Sequence, residues 1–64
     1  MKLDERLGYE VMETIHRRDT LDNINYNFAH YCRIIKQLDI MKKDYDKNLF
    51  NQVTNIYLEW KKKN

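Results

Sequence analysis

The stretch TLDNINYNFAHYCRIIKQLDIMK, residues 20–42, decides the fold. Within it Leu21, Ile24, Phe28, Tyr31, Ile35 and Leu38 recur at alternating spacings of three and four, the period of a helix that buries one face. The seam lasts roughly two and a half heptads, short of the three to four that mark a free-standing coiled coil. Successive residues turn by about 100°, so Cys32 flanks the seam on one side and Ile34 and Met41 on the other, and the apolar arc widens to about half the circumference. A face that wide needs two neighbours. We therefore expect this helix to be the central element, either between two other helices or within a dimer.

On both sides of the stretch the charge changes sign. Arg17-Arg18-Asp19 followed by Asp22, and Lys42-Lys43-Asp44 followed by Asp46, each read as a basic last turn and then an acidic first turn, matching the helix dipole at those ends. With no proline and one glycine, Gly8, the residues that usually punctuate strands and turns are missing. The sequence predicts an all-α fold, a small three-helix bundle with helices at about 2–18, 20–42 and 45–62. Asp19 or Thr20 is the expected cap of the second helix and Asp44 that of the third. Links this short favour adjacent, antiparallel neighbours.

The third helix is cleanly amphipathic, with Tyr45, Leu49, Phe50, Val53, Ile56, Tyr57 and Trp60 on one face and Lys47, Asn48, Asn51, Gln52, Thr54 and Asn55 on the other. The first is thinner: Leu3, Leu7, Val11 and Ile15 form a narrow stripe that Met12 extends, while its acidic residues and Tyr9 are expected to face away. This imbalance predicts that helices two and three make the main hairpin and that helix one packs more weakly. Apolar surface left over would be covered by a second copy of the chain or by a partner.

Composition narrows the class. At 64 residues the chain is expected to be one domain, 1–64, and 42% hydrophobic residues separate it from disordered tails despite 34% charged content. A single cysteine, an acidic start within MKLDERLGYE and no long apolar run point to a cytoplasmic protein with no membrane partner. Twelve basic against ten acidic residues is too even for the usual footprint of a nucleic-acid binder. Enrichment in Asn, Lys, Ile and Tyr is that of an AT-rich coding sequence, which suits a phage or mobile-element product.

Enzyme chemistry finds little to work with. The chain contains no serine, and one glycine excludes a glycine-rich phosphate loop. Cys32 and His30 stand two apart and so point to different sides of a helix, where they cannot act as a nucleophile and its base. Glu13 and His16 have metal-ligand spacing, but they lie opposite the apolar stripe of their helix. No catalytic, metal or cofactor site is expected, and the chain reads as a non-enzyme.

Three binding surfaces remain. Tyr9, Tyr26, Ile40 and Leu58 fall off the apolar faces and are candidate partner contacts, tyrosine being a favoured anchor. Asn27 falls inside the apolar arc and, with Tyr31, Ile34 and Met41, would form the seam of a homodimer, a buried amide being a device that fixes register. A nucleic-acid surface would use Lys47, Asn51 and Asn55 on helix three together with a basic pole of Arg17, Arg18, Lys61, Lys62 and Lys63. A helix-turn-helix reader has its third helix so arranged, but here the junction has no turn glycine, the face no arginine, and Asp44, Asp46 and Glu59 would meet phosphates with the wrong sign. The sequence thus predicts a small regulatory or adaptor protein that binds a protein partner, with helical DNA binding as the alternative.

Overall fold

A computed structural model describes residues 2–64 as three helices, α1 (Leu3–His16), α2 (Leu21–Ile40) and α3 (Lys47–Lys63), with no strand among the described residues. The all-α three-helix architecture is as expected, with most helix ends one or two residues inside the expected limits. Among the described residues no helix is long and apolar enough to cross a membrane.

The turns explain the trimmed ends. After α1 the N–H of Arg18 donates to the carbonyl of Ile15 and that of Asp19 to Thr14; after α2 the N–H of Lys42 donates to Asp39 and that of Lys43 to Leu38. Both are Schellman closures, which demand a left-handed residue that is usually glycine. Here the position is filled by Arg18 at φ 54° and Lys42 at φ 56°. The helices therefore stop without glycine.

Caps restart them. Thr20 accepts from the N–H of Asn23 at 3.2 Å, as one of the two expected caps of α2, while Asp19 accepts from the N–H of Thr20 at 2.8 Å and from the Asn23 side chain at 2.6 Å. For α3 the expected cap Asp44 is corrected to Asp46, whose carboxylate accepts from the N–H of Leu49 at 2.9 Å. Asp44 lies two residues outside the cap position, in the extended link, too far back to reach the free N–H groups of the first turn.

The larger correction concerns which helix is central. α1, not α2, lies in close backbone contact with both other helices, and α2 and α3 meet chiefly through side chains. The buried stripe of α1 is Asp4, Gly8, Val11 and Thr14, with Leu7, Met12 and Ile15 partly buried beside it and Leu3 half exposed. These buried residues are small, so two helices can approach α1 closely; the narrowness that suggested weak packing is what makes it the spine. At Gly8 a Cβ atom would lie 3.0 Å from Leu49 Cδ2 and 3.3 Å from the Tyr31 hydroxyl. The large side chains of α2 and α3 then meet across this stripe. Phe28 stacks on Tyr57 with ring centres 3.9 Å apart, Tyr31 tilts against Phe50 at 5.9 Å, and the Tyr57 hydroxyl donates to the Asn25 side chain. Val11, Tyr31, Ile35, Leu49 and Val53 form the core. The outer ends of the α2 seam are not buried: Leu21 and Met41 are more than half exposed.

Asp4 also corrects the expectation that acidic residues of α1 face water. It is 2% exposed and accepts from the backbone N–H of Asp46 at 2.8 Å, so α1 holds the capping residue of α3. This bond puts the starts of α1 and α3 at one pole of an up-down-up bundle. Next to it the enclosed Tyr31 hydroxyl has no hydrogen-bond partner among the described residues, and burial first, then the charges of Asp4 and Asp46, push its ionisation up to about 12.

Three outcomes follow from these contacts. Arg18→Gly and Lys42→Gly should each stabilise the protein by roughly 0.5–1 kcal/mol, the left-handed penalty less the entropy of a freer unfolded chain. The same change at exposed, mid-helix Arg33 should cost about 1 kcal/mol, all three being read by urea melts. Gly8→Ala should lose about 1 kcal/mol instead of gaining the usual helix-propensity benefit, because overpacking costs about 1–3 kcal/mol at a buried contact. A gain there would show that Leu49 and Tyr31 yield. For Tyr31 the folded state resists loss of the phenol proton, so stability is full below pH 10 and falls as pH rises from 10 towards 12. Tyr31→Phe should flatten that alkaline loss in pH-dependent melts and leave neutral-pH stability equal or higher, since a buried hydroxyl without a partner is removed.

Candidate functional site

At the pole opposite the Asp4–Asp46 bond, α1 ends, α2 begins and α3 ends. An open groove of about 700 Å³ runs along α3 there, lined by Ile15 of α1 and by Asn55, Ile56, Leu58, Glu59, Trp60, Lys62 and Lys63 of α3. A smaller cleft of about 380 Å³ shares Ile15, Trp60 and Lys63 with it and adds Arg18, Asp19, Leu21 and Asn64. The two adjoin at these shared residues, where apolar Ile15 and Trp60 lie beside the basic Arg18, Lys62 and Lys63.

Its geometry follows from helix lengths. The Asp4–Asp46 bond aligns the starts of α1 and α3, and α1 makes its last apolar contact at Ile15. Counted from the bonded pair, Trp60 is three residues further past Asp46 than Ile15 is past Asp4, so it lies ~5 Å beyond the level of Ile15. The apolar pattern of α3 thus outruns the helix that covers it. Trp60 is nevertheless held in place: its ring tilts against Tyr57 at 5.7 Å, and Tyr57 is stacked on Phe28. An aromatic row therefore runs from the core to the groove.

The cations at this pole are not equivalent. Arg17 is paired to Glu13 at 3.4 Å and to Asp19 at 3.8 Å. Asp19 in turn is held below the usual carboxylate range by the Thr20 N–H, the Asn23 amide and then Arg17. Lys61 lies over the Tyr57 ring at 5.6 Å and does not line the groove. Arg18, Lys62 and Lys63 are in no ion pair among the described residues, and all three line the depression. Among the described residues the only carboxylate on the larger groove is that of Glu59.

The expected partner contacts do not converge. Leu58, half exposed, is on the groove; Tyr9 is on the exposed side of α1; Tyr26 stacks loosely on His30 at 6.3 Å; Ile40 ends α2 at the other pole. Tyr26 and Ile40 stand about 21 Å apart along their helix. Of the seam residues, Tyr31 is wholly enclosed within this one chain and Ile34 is half-buried, while Met41 is exposed. Asn27 lines a small polar cleft between α1 and α2 with Glu10, Glu13, Thr14, Arg17 and Asn23. Lys47, Asn51 and Asn55 are exposed along one side of α3, and Lys47 is about 20 Å from the lysines at its other end.

Groove residues Ile15, Ile56 and Trp60 carry the same signal in the sequence as core residues. Only axial position distinguishes them: Ile15 is the last apolar contact of α1, Ile56 lies near its level, and Trp60 lies beyond it. Side chains with reactive groups lie elsewhere: Cys32 is half-buried on α2 with its thiol pushed up by burial, and Glu13 is tied to Arg17. Among the described residues no group of three or more His, Cys, Asp or Glu side chains could hold a metal ion. Comparisons with protein-family models, with curated proteins and with solved structures found no match to this chain.

Proposed function

We propose that the protein is a small, non-enzymatic binding module of regulatory or adaptor type, working in the cytoplasm and capturing a partner protein in the groove at its basic pole. The observation that carries this reading is the open groove in which Ile15, Ile56, Leu58 and Trp60 present apolar surface beside free lysines. A depression with an aromatic anchor on its floor is the form that helix-in-groove recognition takes. Trp60 also arrives pre-positioned by Tyr57, which lowers the ordering cost of binding. The half-exposed Leu58 supplies apolar area that closure by a partner would remove from water.

A second reading, duplex DNA, draws on the exposed row Lys47, Asn51 and Asn55, which leads along α3 towards Lys62 and Lys63. It is the weaker of the two, because a phosphate backbone would leave the apolar floor uncovered.

A photo-reactive benzophenone side chain at position 58, in the cells the protein comes from, tests the proposal. One dominant protein adduct is expected, with Trp60→Ala reducing its yield about thirtyfold, the loss of a hot-spot contact of ~2 kcal/mol. Circular dichroism should show unchanged helicity in that variant. Adducts to nucleic acid, or protein adducts indifferent to Trp60, would overturn the reading in favour of a basic, non-specific surface.

A further inference from the structure

The groove lies between α1 and α3, and no residue of α2 lines its larger part. A bundle of three helices leaves such a furrow where a fourth helix would sit. Packing there follows the ordinary rule of side-chain ridges into grooves, and the molecule offers no strand edge among the described residues for an extended peptide to join. The occupant that fits the shape is a helix with one apolar face.

Charge selects among such helices. Lys62, Lys63 and Arg18 stand unpaired on the depression against one carboxylate of the larger groove, Glu59, while Asp19 is committed to Arg17 and Asn23. The carbonyl ends of α1 and α3 offset only about half a charge each, and the N-terminal end of α2 returns about half a charge of the opposite sign. The residues that line the depression keep a small positive surplus, Arg18, Lys62 and Lys63 against Glu59 and Asp19, while the exposed Asp22 of the first turn of α2 lies at the same pole outside the lining. A flat bilayer surface would not fill a concave furrow, and a phosphate backbone would not cover Ile56 and Leu58.

Resting on the binding-module reading above, we propose that the groove takes an acidic amphipathic helix of a partner protein, its apolar face on Ile15, Ile56 and Trp60, with Leu58 at the rim, and its carboxylates against Lys62, Lys63 and Arg18. The rim pairs are solvent-exposed, so they act on partner choice and association rate more than on total affinity.

The chain has a single tryptophan, and it is Trp60, so its fluorescence reports occupancy directly. The probes are two tryptophan-free 18-residue helical peptides with the same leucine face, one flanked by glutamates and the other by lysines, together with vesicles of phosphatidylserine and phosphatidylcholine and a 20-base-pair duplex. The glutamate peptide should shift the Trp60 emission to the blue with micromolar affinity, and the lysine peptide should bind at least tenfold more weakly. K62E/K63E, both at exposed positions, should reverse that preference with helicity unchanged. Equal binding of both peptides would overturn the acidic partner while leaving the groove as a protein-binding site. No response to either peptide, or a response only to vesicles or duplex, would also overturn it; the position 58 adduct then decides separately whether the binding-module reading survives.

Discussion

The spacing of the whole bundle is set by the missing side chain at Gly8. Leu49 of α3 and Tyr31 of α2 both come within van der Waals reach of the place where a Cβ would be, so one residue determines how closely both neighbours approach α1. Close approach on α1 brings α2 and α3 to the distance at which Phe28 and Tyr57 stack and Tyr31 meets Phe50. Helix α1 contributes little apolar bulk of its own. It contributes proximity, and the aromatic side chains of its neighbours fill the interior.

That arrangement carries a polar burden at one pole. Asp4 is buried with one of its oxygens on the Asp46 N–H, while the Tyr31 hydroxyl is enclosed nearby without a partner. Buried polar groups weaken a core in bulk but discriminate between registers, since a shift of α1 by one residue would leave a carboxylate in apolar surroundings. The opposite pole is built differently, with the aromatic row ending at the half-buried Trp60 on the groove. One end of the bundle is closed by polar contacts and the other is left unclosed.

Much of the fold was legible because it rests on periodicity and charge. The α2 seam, the amphipathic α3 and the sign changes at residues 17–19 and 42–44 all locate helices without knowledge of packing. What periodicity cannot register is size. Hydropathy places Leu3 on the stripe of α1 and Asp4 off it, whereas the packed molecule buries Asp4 and exposes Leu3, since the small residues and the Asp46 N–H decide the rotation of the helix. The wide arc of α2 was legible too, but not the fact that its outer members Leu21 and Met41 would lie beyond the reach of α1. The groove was least legible. Trp60 and Ile15 differ from core residues only by axial position, which depends on where α1 and α3 start relative to each other.

The Asp4–Asp46 bond joins residues 42 positions apart, and the third helix packs on the first. During synthesis α1 and α2 can meet as a local hairpin, yet the interior they share with α3 is incomplete until α3 has emerged. Folding of the three-helix unit is therefore expected to follow the emergence of α3, with most of α1's second flank exposed in the interval. Two helices of this length leave too little core to wait in.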